Sequence, residues 1–160
     1  MDYFFERLAK VRTKVEVASE FRYRKPYLNK NSLFIVISQS GETADTLEAL
    51  RIAKEAGLKT LAICNVDNSS IVRLADNTLL TRAGIEKGVA STKAFATQII
   101  VLWMLVLQMA SAKGSISKKE LDHEIKTLLH IPQILNIDNS LQEKLHRLSK
   151  HYLHGHGFFF

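Results

Sequence analysis

The chain alternates short apolar runs with amphipathic stretches. "SLFIVIS" (32–38) and "KTLAICN" (59–65) are continuous apolar runs of strand length, the pattern of strands covered on both faces in a parallel sheet. Between them, "TADTLEALRIAKEAG" (43–57) sets Leu47, Leu50, Ala53 and Ala56 near one helical face and closes on Gly57, suited to a helix C-terminus. The spacing then predicts a short helix over 69–75, a short strand over 77–81, a loop over 83–91 and a long apolar helix over 92–114. Upstream, 2–11 reads as a helix, 14–19 ("KVEVAS") alternates as a strand does, and 20–31 reads as a polar connection. Downstream come two amphipathic helices, 117–135 and 139–152, the first expected to bend or break at Pro132. Strands alternating with helices at this spacing predict βαβ units in an α/β fold, a three-layer αβα sandwich on a parallel sheet.

Composition narrows the functional classes. With 160 residues, 46% apolar and 24% charged, the chain has the make-up of an ordinary globular domain. Cys64 is the only cysteine, so neither an internal disulfide framework nor a cysteine-based zinc site is available. Met1 is followed by Asp2 and Glu6, unlike a secretory leader, and a cytoplasmic location is expected. The formal charge of +6 is spread along the chain without a basic run interleaved with aromatics, so no nucleic-acid partner is expected. Residues 94–112 carry no charge and have the length of a membrane span. Thr97, Gln98 and Gln108 interrupt them, and a fully buried helix at the centre of a domain or a subunit interface is the preferred reading. His151, His154 and His156 lack a metal-site spacing and an adjacent carboxylate, so no metal is expected.

The candidate chemistry lies where the first apolar run stops. Ser38, Gln39, Ser40, Gly41 and Thr43 crowd the carboxyl end of a predicted strand, where ligands bind in open α/β sheets. A helix starts there, and its free N–H groups and positive dipole end suit an anion. Three hydroxyls and an amide add donors, and Gly41 admits close backbone approach. The stretch lacks a Walker lysine and the G-x-G-x-x-G spacing, so a monophosphate fits better than a polyphosphate. The simpler alternative is a plain capped helix with Ser40 or Thr43 at the N-cap. A second glycine- and hydroxyl-bearing loop, "GIEKGVASTKAF" (84–95), leads into the long helix, with Val89 to Ser91 able to line a pocket; the simpler alternative is a plain connection in which Ser91 or Thr92 caps that helix. Glu42 and Glu86 lie in these loops and would repel a phosphate, so both are expected to point away or pair with Arg or Lys.

At these loops the sequence resembles a known family. "SQSGETADTLEALR", "LAICNV", "GVASTKAF" and the upstream "VEVASEFRYRKP" are similar to the isomerase part of glutamine–fructose-6-phosphate aminotransferases, built from two sugar isomerase (SIS) domains in tandem. The resemblance implies a SIS, flavodoxin-like sandwich in which Ser38, Gln39, Ser40 and Thr43 hold a sugar phosphate and Val89 and Ser91 contact the sugar. It implies fructose 6-phosphate or glucosamine 6-phosphate as ligand, amino-sugar synthesis as the setting, no cofactor, no membrane, and a homodimer or larger homo-oligomer.

The departures from that family also set expectations. The nucleophilic cysteine of the glutaminase domain has no counterpart, since Cys64 sits in a predicted buried strand. The C-G-T-S turn and first strand of the family's first SIS domain, and the second domain's glutamate, lysine and histidine, are likewise unmatched. Residues 1–135 are therefore expected to be an incomplete first SIS domain lacking its first strand. Residues 136–160 are expected to be a connecting helix and the start of a second SIS domain. No catalytic residue is assigned, and a phosphosugar-binding half-site that is inactive alone is expected. One further expectation places "GFFF" (157–160) in the slot of the missing strand. Glu20, Arg22 and Arg24 receive no chemical role. The rival function is a non-catalytic SIS module that senses a phosphosugar.

Overall fold

The computed structural model describes residues 1–24, 26–87 and 91–155. In chain order the elements are α1 (Asp2–Arg7), α2 (Ala18–Phe21), β1 (Leu33–Ser38), α3 (Ala44–Glu55), β2 (Lys59–Cys64), α4 (Ser70–Leu74), β3 (Asn77–Leu80), α5 (Lys93–Ala112), α6 (Lys118–Ile134) and α7 (Asn139–His151). The two apolar runs form the sheet. β1 pairs in parallel with β2 from Leu33 opposite Lys59 to Ser38 opposite Cys64, and β2 pairs in parallel with β3 from Leu61 opposite Asn77 to Cys64 opposite Leu80. The strand order is β1-β2-β3, so all three strands point their carboxyl ends the same way.

Successive residues on a strand point to opposite faces, so each apolar run feeds two cores. On one face Ile63 joins Phe5 of α1 and Leu102 and Val106 of α5, with Ile35 packed alongside. On the other, Val36 and Ala62 meet Leu50 of α3 and Ile71 of α4, with Phe34 and Leu47 at the edge. Phe21 of α2 lies against Phe34 with ring centroids 5.3 Å apart. Helices therefore cover both faces of a parallel sheet, the αβα layering that the periodicity predicts.

α3 ends as its sequence dictates. Gly57 takes φ +79°, and its N–H and that of Leu58 turn back onto the carbonyls of Lys54 and Ala53. An acidic residue then locks the far side of the sheet. The carboxylate of Asp76, just before β3, accepts the Thr60 N–H at 2.8 Å, the Thr60 hydroxyl at 2.9 Å and the Lys54 ammonium at 2.7 Å.

Three expectations are corrected. Residues 14–17 form no strand among the described residues, and 18–21 begin the short helix α2 instead. The alternating valines explain this: Val15 and Val17 are 70% and 59% exposed, so the alternation buries no face, and no neighbouring strand supplies a ladder. The first helix stops at Arg7 rather than at residue 11. Pro132 falls within the last turn of α6, which continues to Ile134 instead of breaking. Within this chain α5 is buried along one side, which leaves burial at a subunit interface open. Ala94, Leu102, Val106, Leu107 and Ala110 are buried, whereas Phe95 and Met104 are exposed. By length and composition α5 alone among the described helices is apolar enough to cross a membrane.

The chain divides into two compact units, 1–121 and 122–160. In the second, α7 is capped by Asp138, whose carboxylate accepts the Leu141 N–H at 2.8 Å, and α7 buries no residue. The segment 157–160 lies outside the described residues.

Candidate functional site

The first loop leaves β1 at Ser38 and reaches α3 at Ala44, at the carboxyl edge of the sheet. It is built by its own hydroxyls. The buried Ser38 hydroxyl accepts the Gly41 N–H at 2.9 Å, and the Ser40 hydroxyl accepts the Glu42 N–H at 3.2 Å. Gly41 adopts φ +69°, the left-handed region that a side chain disfavours. It is also pressed against the neighbouring loop: an added Cβ would lie 2.0 Å from the Ser69 hydroxyl and 2.9 Å from the Cys64 thiol. Its carbonyl accepts the Ile71 N–H at 3.0 Å, so the turn is fastened to α4. Beneath it Cys64 is fully buried, with its sulfur 3.6 Å from the Ser69 hydroxyl and 3.8 Å from the Gln39 carbonyl.

Thr43 occupies the N-cap position of α3, yet its side chain makes no capping hydrogen bond. Ser40 spends its hydroxyl inside the turn. The plain-cap alternative required one of them to satisfy the helix, and neither does. The first N–H groups of α3 are thus left without a side-chain acceptor.

Of the two arrangements expected for the acidic residues of the loops, pairing with Arg or Lys does not occur among the described residues, and each carboxylate turns to a backbone N–H instead. They serve as acceptors for other helix starts. Glu42 accepts the Ser70 N–H at 2.8 Å, and the hydroxyl and N–H of Ser70 hold its carboxyl below the usual range. Glu86 accepts the Ala94 N–H at 3.4 Å near the start of α5. Lys93 donates to the Ile85 carbonyl.

The residue missed in the sequence is Asn65, the first after β2. Its N–H donates to the Gln39 carbonyl at 3.3 Å, tying it to the first loop. Its side chain donates to the Gly84 carbonyl at 2.7 Å and accepts from the Thr81 hydroxyl at 3.1 Å and the Ala83 N–H at 2.7 Å. Asn65 therefore couples the two loops that the sequence singles out. A polar amide directly after a buried strand, in the same place as Gln39 after β1, was the available signal.

Ser38, Gln39, Ser40 and Thr43 lie together on one loop. Ser91 is exposed just ahead of α5, and no hydrogen bond joins it to the first loop. Val89 lies outside the described residues. Among the described residues no cluster of His, Cys, Asp and Glu has the arrangement of a metal site.

The SIS domain model matches residues 1–108. The chain belongs to the SIS domain family. As a SIS domain it is 67% identical over 158 residues to a glutamine–fructose-6-phosphate aminotransferase (isomerizing) of Campylobacter jejuni. The match takes in 99% of this chain and 26% of that protein. It is 52% identical to the Helicobacter pylori protein of the same name, again over 99% of this chain and 26% of the relative. The SIS domain thus spans about a quarter of the length of these curated relatives. Its fold matches the C-terminal domain of the glucosamine-fructose-6-phosphate aminotransferase of Francisella tularensis with a TM-score of 0.85. That match has 42% identity and covers 94% of this chain and 43% of the other. A glucosamine-6-phosphate deaminase structure from Thermotoga maritima matches with a TM-score of 0.68 at 26% identity, over 82% of this chain and 39% of the other.

Proposed function

We propose that this SIS domain is the phosphosugar-binding half of an aminotransferase isomerase part, one that makes glucosamine 6-phosphate from fructose 6-phosphate and glutamine. The supporting observation is the start of α3: it has no side-chain cap and is flanked by the hydroxyls of Ser38, Ser40 and Thr43. A phosphate there accepts from the free N–H groups of Ala44 to Thr46 and gains the favourable end of the helix dipole. In this reading Ser38, Gln39, Ser40 and Thr43 are the phosphate-binding residues, with Ser38 acting partly through the turn it holds. Val89 and Ser91 contact the sugar, with the second loop carried by Asn65. No residue of this chain is assigned a catalytic step, and binding without turnover is expected of it alone. Residues 1–135 and 136–160 are read as parts of a first and a second SIS domain. The setting is cytoplasmic, and the assembly a homodimer or larger homo-oligomer.

The test is a thermal melt with glucosamine 6-phosphate against glucosamine. A ligand that binds only the folded state raises the midpoint by mass action. The reading requires an upward shift with the phosphosugar alone, lost in Ser38→Ala. Equal midpoints with both sugars would remove the phosphate from the argument.

A further inference from the structure

We propose that Arg22 is a positioning residue for anion binding, cancelling the charge that Asp45 brings to the first turn of α3 and so keeping that helix end open to a phosphate. The inference rests on the phosphate-binding reading above.

Asp45 follows Thr43 by two residues and lies in the first turn of α3, at the same end as the unclaimed N–H groups. A carboxylate there favours the helix but competes with a phosphate, which carries more charge of the same sign. Arg22 meets it directly, Nη1 to Oδ1 at 2.6 Å, and is its only ion-pair partner among the described residues. The pair is about one-third exposed on each side, 30% and 39%, so its charges are only partly screened by solvent. Hydrogen bonding to Asp45 holds the guanidinium above its ordinary pKa, and Glu48, one turn on, adds to this through space.

The guanidinium is also carried by its own scaffold. Phe21, its chain neighbour, packs on Phe34 of β1, and the guanidinium lies 5.0 Å above the Tyr23 ring. The second acid beside the loop, Glu42, is turned onto Ser70. Glu42 of the loop and Asp45 of the first turn of α3 thus each have a dedicated partner. Arg22 gains in this way the chemical role that the sequence left open.

The experiment is calorimetric titration of the full chain with inorganic phosphate and with glucosamine 6-phosphate, for the unchanged protein, Arg22→Gln, Arg22→Lys, Asp45→Asn and the Arg22→Gln/Asp45→Asn pair. Melting curves confirm that each is folded. Removing one compensating charge at this exposure is expected to weaken both ligands about three- to tenfold in Arg22→Gln. Arg22→Lys keeps the charge and stays within about twofold on the same Coulomb argument. Asp45→Asn binds at least as well as the unchanged protein, and the double variant recovers to the Asp45→Asn level. If Arg22 only tied α2 to α3, Asp45→Asn would weaken binding as Arg22→Gln does, and the double variant would not recover. That result, or unchanged affinity in Arg22→Gln, overturns the proposal. Should Arg22→Gln fail to fold, weaker binding by Asp45→Asn overturns it alone. An unchanged protein that binds neither ligand overturns the phosphate-site reading and this inference with it.

Discussion

Gly41 runs so close to Ser69 that a methyl group on it would sit 2.0 Å from the Ser69 hydroxyl oxygen and 2.5 Å from the Ser69 Cβ. Two loops at the carboxyl edge of the sheet are thereby held in contact through a residue that has no side chain. The combination of a left-handed φ and a filled neighbour admits only glycine.

Gly41→Ala is therefore expected to destabilise the fold by about 2–4 kcal/mol, combining left-handed strain with overpacking. Gly57 provides the contrast. It has φ +79° but nothing within 4 Å of its missing Cβ, so Gly57→Ala should cost only about 1–2 kcal/mol. Urea unfolding of the two variants side by side decides it, and equal costs would mean that Ser69 moves aside freely.

Ser38 and Thr43 are expected to separate stability from binding. Ser38→Ala strips the acceptor from the Gly41 N–H in a buried setting and should cost about 1–3 kcal/mol. Thr43 is exposed and caps nothing, so Thr43→Ala should change stability by less than about 0.5 kcal/mol while weakening phosphosugar binding. A stability loss near the usual ~1 kcal/mol of a lost N-cap in Thr43→Ala would restore the plain-cap explanation.

Asn65→Ala removes the acceptor of the Ala83 N–H and the donor to the Gly84 carbonyl. Hydrogen exchange at Ala83 should speed up sharply, with β1 and β2 amides little changed. Global stability should fall by about 1–3 kcal/mol, as for other groups left unpaired. Unaltered exchange at Ala83 would show that the second loop holds its place without Asn65.

Asp76 makes a pH prediction. Hydrogen bonds from Lys54 and from the N–H and hydroxyl of Thr60 lower its pKa from the ordinary 3.8 to about 2. A depressed carboxylate adds stability that is fully present above its unfolded pKa and is lost as pH falls through the folded value. The contribution should therefore fade between about pH 4 and pH 2 on this linkage argument. Asp76→Asn should be less stable than the unchanged protein at pH 6, and the gap should close toward pH 2. A gap that persists undiminished at pH 2 would assign the effect to packing rather than to charge.

The legible parts of this chain are those whose burial is fixed by the chain itself. The runs 32–38 and 59–65 became β1 and β2 within a residue, and β2 is buried from Thr60 to Cys64 as a doubly covered strand is, whereas β1 leaves Leu33 and Ile37 46% and 42% exposed. The capping box "SKKE" (117–120) was a signal left unread: the Ser117 hydroxyl accepts the Glu120 N–H at 3.2 Å, and the Glu120 carboxylate accepts the Ser117 N–H at 2.9 Å. The failures involve partners distant in sequence. "KVEVAS" has strand alternation, but a strand exists only where another strand meets it. Asn65, Asp76 and the Arg22–Asp45 pair bond to residues sixteen or more positions away, and periodicity carries no trace of such contacts. Glu42 and Glu86 were read for charge alone, whereas their geometry makes them acceptors for the starts of α4 and α5.

The burial of Cys64 beneath the Gly41 turn makes the lone thiol a clock for that loop. A sulfur with no exposed surface reacts with an aromatic disulfide reagent only during the moments when the structure above it lifts. The labelling rate thus counts openings of the candidate site, in a protein with no second cysteine to confuse the signal. A sugar phosphate seated on the loop should slow that clock in proportion to its occupancy, and Gly41→Ala should make it run fast.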